Sequence, residues 1–378
     1  MIILGASRKS STPVLLRSSE KRIVVSPSGN SFYAPRGICH EVWDVRVRIG
    51  EILTDLVGGE GLARKGIVGD CSLTVHAFEV SSDLACAIEA MSSGSVVKAY
   101  TPWNDTSVQL WSGTKRWVLG GGVVQGGDEI AKTTTKLLER RLPGTEVRVS
   151  SFRRWNGLIG AAEFLPVEAF RSREETITFI AVDLGGSSEK IGLVNVDGRT
   201  GKIKRERPLI GVRVEDRPEN IRRPNQSDTV KEKLELSGRT CEWIAGSIRD
   251  MIIKASERKI KLAPFIVLGM PFEVDETGRR KSGGTYPFPS SDESDFKPGR
   301  EIGDKLGKLL REALYCKIIK SEGNIQDYYL TVDNDAIIAA AATFTGNIGE
   351  KVGYLGLGSG VGGALYLNPQ NHEFNKLF

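Results

Sequence analysis

Two glycine-rich turns are where this sequence first suggests chemistry. The first is Asp183-Leu184-Gly185-Gly186-Ser187, set between the β-branched run Ile177–Val182 and a second strand-like run, Lys190–Val196. A strand–turn–strand of this composition lets main-chain N–H groups face a phosphate with no side chain in the way. The Asp183 carboxylate can hold a Mg²⁺ through water, and Ser187 can donate to a phosphate oxygen. The same residues also suit an ordinary hairpin. The second turn is Gly356-Leu357-Gly358-Ser359-Gly360-Val361-Gly362-Gly363, again between two apolar runs. It has no Lys-Ser/Thr and opens no helix, so it is not a Walker A loop. It also lacks the G-x-G-x-x-G plus helix of a dinucleotide site. Two phosphate-cradling hairpins in one chain are more specific than either alone.

A third glycine run, Trp117-Val118-Leu119-Gly120-Gly121-Gly122-Val123, reads as a strand entering a turn and then a helix. Such a turn lets a flat nucleoside pass close to the backbone; it is also a common strand–helix connection. The candidate base is Asp335, in Leu330-Thr331-Val332-Asp333-Asn334-Asp335-Ala336. An Asn-Asp pair at a strand's end, just before a helix, can be a helix cap. At a ligand site the same Asp can accept a proton from a substrate hydroxyl while Asn334 fixes that hydroxyl's orientation.

Together these segments resemble the ROK group of sugar kinases, within the actin/hexokinase-like ATPase superfamily. The resemblance rests on Asp183–Ser187, on Asn334-Asp335-Ala336 and on Gly358-Ser359-Gly360-Val361-Gly362. It extends to Gly120-Gly121-Gly122, to Gly157-Leu158-Ile159-Gly160-Ala161-Ala162, and to Asp55–Arg64 ahead of the long helices. It spans roughly residues 40–165 and 177–365. It implies an α/β fold of the two-lobe, ribonuclease H-like kind, closing around ATP and Mg²⁺. Asp183, Gly185, Gly186, Ser187, Gly358, Ser359 and Gly360 would serve the phosphates, and Gly120–Gly122 the adenosine. Asp335 would be the general base and Asn334 a sugar contact. A cytoplasmic enzyme acting on a hexose, able to form a homodimer, is the corresponding expectation. A non-catalytic sugar or nucleotide sensor on the same fold is the alternative.

The order of the segments differs from that family, whose phosphate loops and catalytic Asp precede the segment seen here at 117–165. Either the chain is circularly permuted, or it joins the tail of one module to the head of another. In the first case residues 1–170 would be C-lobe-like, 177–345 the N-lobe, and 346–378 the hairpin completing the C-lobe. The family's zinc-binding cysteine cluster is absent. Its Glu-x-Gly-His corresponds to Gly37-Ile38-Cys39-His40, and Thr54 stands where a second sugar-binding Glu is expected. Pro271-Phe272 replaces the usual Pro-Gly. His40 is thus either a substrate contact or a buried or capping histidine.

The elements that must position these groups follow from periodicity. Strands are expected at Arg116–Leu119, Ile177–Val182, Lys190–Val196, Phe265–Gly269, Tyr329–Val332, Val352–Leu355 and Ala364–Leu367, with a hairpin turn at Asp197-Gly198. Helices are expected at Val42–Leu56, Leu73–Met91, Asp128–Leu142, Val230–Ala255, Ile302–Ala313 and from Ala336 to Phe344. On the fourth of these, Leu234, Leu236, Ile244, Ile248 and Ile252 are the candidate buried positions. Arg171–Glu175 reads as a linker, and Gly278–Gly299 as a loop-rich stretch whose Arg279-Arg280-Lys281 cluster is solvated.

Composition narrows the classes further. The 378 residues exceed one average domain, and 40% hydrophobic with 26% charged is a globular balance. The net charge, 52 − 47 = +5, is too small to argue for nucleic acid. No apolar run reaches the roughly 18 residues of a membrane helix, and Met1–Leu4 is too short for a signal-peptide core. Five scattered cysteines without a C-x-x-C pair, and three histidines, exclude a zinc ribbon and a His-rich metal site, and fit a reducing compartment. No protein cluster for direct metal binding is expected; Mg²⁺ would come with ATP, near Asp183.

Overall fold

A computed structural model describes residues 15–18, 21–25, 31–35, 46–48, 51–52, 59–66, 76–94, 111–124, 128–165, 167–170, 175–186, 188–204, 208–222, 225, 227–275, 278–282, 286–315, 328–343, 351–358 and 361–367. In chain order the strands are β1 (Leu15–Ser18), β2 (Lys21–Val25), β3 (Ser31–Pro35), β4 (Arg46–Arg48), β5 (Glu51–Ile52), β6 (Arg116–Gly120), β7 (Glu146–Val149), β8 (Thr176–Leu184), β9 (Ser188–Asp197), β10 (Leu209–Asp216), β11 (Phe265–Met270), β12 (Glu273–Val274), β13 (Arg280–Ser282), β14 (Tyr329–Asn334), β15 (Lys351–Leu357) and β16 (Val361–Leu367). The α-helices are α1 (Gly59–Arg64), α2 (Ala77–Ser93), α3 (Glu129–Leu138), α4 (Asn156–Gly160), α5 (Val230–Glu257), α6 (Pro298–Tyr315) and α7 (Asp335–Ala341). This is a mixed α/β protein. It forms two compact units, one centred on Ala161–Asp335 and the other on Ser31–Gly160 together with Ala336–Phe378.

The Ala161–Asp335 segment of the first unit, referred to below as the continuous unit, is built on a mixed sheet in the order β10-β9-β8-β11-β14. β8 and β9 form an antiparallel hairpin with Asp183 opposite Lys190 and Leu184 opposite Glu189. β11 runs parallel to both β8 and β14. Parallel neighbours need a crossover, and the chain supplies long helices for it. α5 starts with a capping box, Thr229 accepting from the Glu232 N–H while Glu232 accepts from the Thr229 N–H. This satisfies donors that a helix start otherwise leaves unpaired. Its buried stripe includes Leu236, Ile244, Ile248 and Ile252, packed with Ile180, Val182, Ile191, Leu193, Ile302 and Leu306. Leu234, expected in the same stripe, is only half-buried.

The described part of 278–299 is loop-rich as expected, apart from the short β13 strand and the start of α6, but it is not solvated throughout. Tyr286 and Phe288 are fully buried, with Phe272 5.2 Å from Phe288 between ring centroids. The basic cluster is not simply solvated either. Arg279 binds Asp275 at 3.0 Å and Asp295 at 2.9 Å, and Lys281 binds Glu273 at 2.9 Å. Arg280 donates to the Phe288 carbonyl, and its burial lowers its pKa. Charges that look solvated in sequence here tie a short β12–β13 hairpin to the aromatic core.

The second unit carries the strand order β16-β15-β6-β7, with β3 meeting β16 at Tyr33–Leu367. β15 and β16 are an antiparallel hairpin, and β6 lies parallel to both β15 and β7. α2 and α3 cover this sheet through Leu84, Ile88, Met91, Ile130 and Leu138 against Leu119, Leu355 and Leu365. α2 ends on Gly94 in the left-handed region (φ 70°), which donates back to Ala90 and Met91. The described residues of Val42–Leu56 are strand where a helix is expected. They form the β4–β5 hairpin, with Arg46 opposite Ile52. A short apolar spacing fits either period, and strand pairing prevails here. Other expected elements differ from the observed ones mainly at their ends. Among the described residues no helix is long and apolar enough to cross a membrane.

Candidate functional site

In the continuous unit, three parallel strands end at one level. Gly269 is in register with Asp183 on one side and with Asp333 on the other. The carboxyl ends of parallel strands are where open α/β sheets bind ligands. Gly269 leaves room for a close approach of the chain there. A Cβ on it would lie 3.3 Å from the Asp335 Cα and 3.6 Å from its Cβ, so α7 begins directly over the end of β11. Asp335 is half-buried as the first residue of α7. Asp183 is 7% exposed and Asp333 3%.

The Asp183 carboxylate accepts from the Lys190 ammonium at 2.7 Å. The glycine turn is closed by the Gly185 N–H donating to the Ser188 carbonyl at 2.8 Å. A Cβ on Gly185 would lie 3.9 Å from the Lys190 Nζ, so the ammonium stands beside the bare backbone of the turn. Asn334 is 1% exposed, and its amide nitrogen lies 3.2 Å from the Phe272 carbonyl and 3.4 Å from that of Met270. The Asp333 side chain accepts from the Asn334 N–H at 2.8 Å. Asn334 thus ties the β11–β12 connection together, beyond its expected roles.

In the second unit the glycine run and the second glycine turn lie side by side at the ends of the parallel strands β6 and β15. Gly121 has φ +91°, and a Cβ there would meet the Leu357 backbone, with its nitrogen 2.8 Å away. The Val123 N–H donates to the Leu357 carbonyl at 3.0 Å. Beneath Gly120 sits a buried relay: Ser150 donates to Asn156 at 2.6 Å, and the Asn156 amide donates to the Tyr354 hydroxyl at 3.3 Å. A Cβ on Gly120 would overlap both Tyr354 and Asn156. Gly122 is exposed with open space around its Cβ position. After Gly121 the chain makes a turn, and α3 starts at Glu129, not directly after the glycines.

Asp183, Gly185, Gly186, Asn334 and Asp335 therefore belong to one unit, and Gly120, Gly121, Gly122 and Gly358 to the other. Ser187, Ser359, Gly360 and His40 lie outside the described residues, as do Gly37 and Thr54. Sequence reasoning missed Lys190, Gly269 and Asp333. A lysine seven residues beyond Asp183 is a usable signal once a four-residue turn fixes the hairpin register. Among the described residues no group of three or more His, Cys, Asp or Glu side chains could hold a metal. A scan against protein-family models matches none of them, and a search among curated proteins finds no match.

Proposed function

We propose that this chain is an ATP-dependent kinase that phosphorylates a hydroxyl of a hexose or related polyol. The observation that carries this reading is the ammonium–carboxylate pair Lys190–Asp183 beside the bare Gly185 turn, in the same unit as Asp335. The resemblance to ROK sugar kinases supports it. The residues present fit a nucleotide. Gly185 offers main chain without a side chain, and Lys190 offers a cation for phosphate oxygens. Asp183 is one carboxylate, suited to hold Mg²⁺ through water with the phosphates completing its shell. When bound, ATP with Mg²⁺ supplies the transferable phosphoryl group and charge neutralisation. Asp335 accepts the proton of the attacking hydroxyl, and the Lys190 ammonium favours negative charge near Gly185. Lys190 holds the Asp183 carboxylate in place through their ion pair.

A second reading is favoured by Asn334, whose amide lies against two main-chain carbonyls where a sugar-orienting role would need it to face a hydroxyl. On that reading the chain binds nucleotide, or a sugar, without turning it over. A coupled ATP assay over a panel of hexoses and polyols, with calorimetric titration of a non-hydrolysable ATP analogue, separates the two. Sugar-dependent turnover supports the kinase; binding without turnover supports the sensor. No binding to the wild-type chain overturns the kinase and the nucleotide sensor together.

A further inference from the structure

Glu189 is a fully buried carboxyl in the Ala161–Asp335 unit. It opens the returning arm of the glycine hairpin, opposite Leu184 on β8 and Glu215 on β10. Its residue is 0% exposed, and neither carboxylate oxygen has a hydrogen-bond partner. Because side chains alternate along a strand, Glu189 shares the inward face with Ile191 and Leu193, while Lys190 points the other way to Asp183. A carboxylate placed so would be costly to charge.

Among the described residues, the nearby cations are engaged elsewhere. On β10, the Arg213 Nε is 3.0 Å from Glu215, and its Nη1 is 3.8 Å from Asp250 of α5. Asp250 also accepts from Arg249 at 2.6 Å. Ser247 of α5 lies near Glu189, and its hydroxyl is 3.5 Å from Glu215. On the aromatic side, Tyr286 carries the Arg217 guanidinium 4.1 Å over its ring, and burial pushes the Tyr286 hydroxyl up to about 12. Burial likewise pushes the Glu189 carboxyl up to about 8, helped by the like charge of Glu215 and opposed by Ser247 and Arg213.

We propose that Glu189 is a protonation latch on the glycine hairpin: its neutral carboxyl seats the arm Ser188–Ile191 in the core, and its ionisation unseats that arm together with Lys190. The proton passes to solvent. The charged group must then recruit water or draw Arg213 from Glu215 and Asp250, and either event moves β9 where it leaves the glycine turn. The latch is a property of the hairpin; only its effect on ligand rests on the nucleotide reading above.

The test is amide hydrogen exchange of residues 189–193 in the full chain, from about pH 6 to about pH 9.5, corrected for the intrinsic base-catalysed rate. It is run on wild type, Glu189→Gln and Glu189→Met. Wild-type protection should fall about tenfold per pH unit, roughly 100-fold from about pH 6 to about pH 8, and level off above that, because the closed and open arms differ in bound protons only between the open-arm pKa and the folded pKa. Both variants should stay flat. Affinity for a non-hydrolysable ATP analogue should fall in parallel in wild type alone. The infrared band of a protonated carboxyl, present in wild type at neutral pH and lost by about pH 9.5, gives a readout that needs no variant to fold. Flat wild-type protection, an equal fall in Glu189→Gln, or no such band at neutral pH overturns the latch. A protection step confined to wild type, with no nucleotide bound at any pH, leaves the latch standing and removes the nucleotide reading.

Discussion

Gly160 ends α4, and its Cα faces the backbone of α7, the helix that begins at Asp335. A Cβ placed on it would overlap the Ile338 carbonyl oxygen and lie 2.8 Å from the carbonyl carbon and 3.0 Å from the Ala342 nitrogen. Ordinary contacts start near 3.4 Å, so the carbon alone requires a displacement of 3.4 − 2.8 = 0.6 Å, and the oxygen more. These atoms are main chain in a helix with Ile337, Ile338, Ala340 and Ala341 all buried, so no side chain can swing aside. Overpacking of this kind costs about 1–3 kcal/mol, and the rigidity places Gly160→Ala at the upper end. Alanine's better helix propensity returns about 1 kcal/mol, leaving a net loss of about 2 kcal/mol. At roughly 2–4 °C per kcal/mol for a domain of this size, the melting temperature should drop by about 4–8 °C. Gly303→Ala is the control. It lies inside α6 with nothing within 4 Å of its Cβ position, and should stabilise by about 0.5–1 kcal/mol. Thermal and urea unfolding of both variants decide the matter. Wild-type stability in Gly160→Ala, or a gain equal to that of Gly303→Ala, refutes the close packing of α4 on α7.

Asp335→Asn should lower phosphoryl transfer by roughly 100- to 10,000-fold with unfolding unchanged, because Asn caps but cannot take the hydroxyl proton. Wild-type turnover on the best sugar would make Asp335 a cap only. Lys190→Met should weaken binding of a non-hydrolysable ATP analogue by roughly 10- to 100-fold, the value of a charge-assisted hydrogen bond of about 1.5–3 kcal/mol; equal affinity by calorimetry would remove Lys190 from the phosphate site. Glu189→Gln should change how stability depends on pH. The folded pKa lies above the unfolded one, so the contribution is fully present below pH 4.5 and is lost as pH rises through about 8. The full difference, 3.5 units at about 1.36 kcal/mol each, is about 5 kcal/mol. Urea midpoints of wild type and Glu189→Gln should therefore diverge with rising pH; parallel curves would show that Glu189 is not a buried acid.

Much of the continuous unit was legible in the sequence because its signals are short-range. Ile177–Val182 and Phe265–Gly269 are apolar, β-rich runs bounded by turn residues, and the structure extends them to Thr176–Leu184 and Phe265–Met270. The 26-residue periodicity from Val230 predicts α5, and Thr229-x-x-Glu232 is its start signal. The Asp183 and Asp335 strand ends were legible for the same reason, since both sit where an apolar run meets a turn or helix start. Val42–Leu56 misled because its spacing suits two periods, and only pairing with another segment chooses between them.

What Glu189 and Lys190 do could not be read so directly. Two adjacent polar residues after a glycine turn look alike in sequence, yet register sends one to Asp183 and the other into the core. Arg279-Arg280-Lys281 likewise looks like solvated charge until Asp275, Asp295, Glu273 and the Phe288 carbonyl are placed around it. The amino-acid sequence by itself determined the turns, caps and strand runs, because backbone preferences and capping depend on residues only a few positions apart. Tertiary structure alone decided that Gly269 stands between Asp183 and Asp333, and that Asn156 reaches Tyr354 across 198 positions. Burial and register are set by segments distant in the chain, and these determine whether a charge is solvated, paired or held neutral.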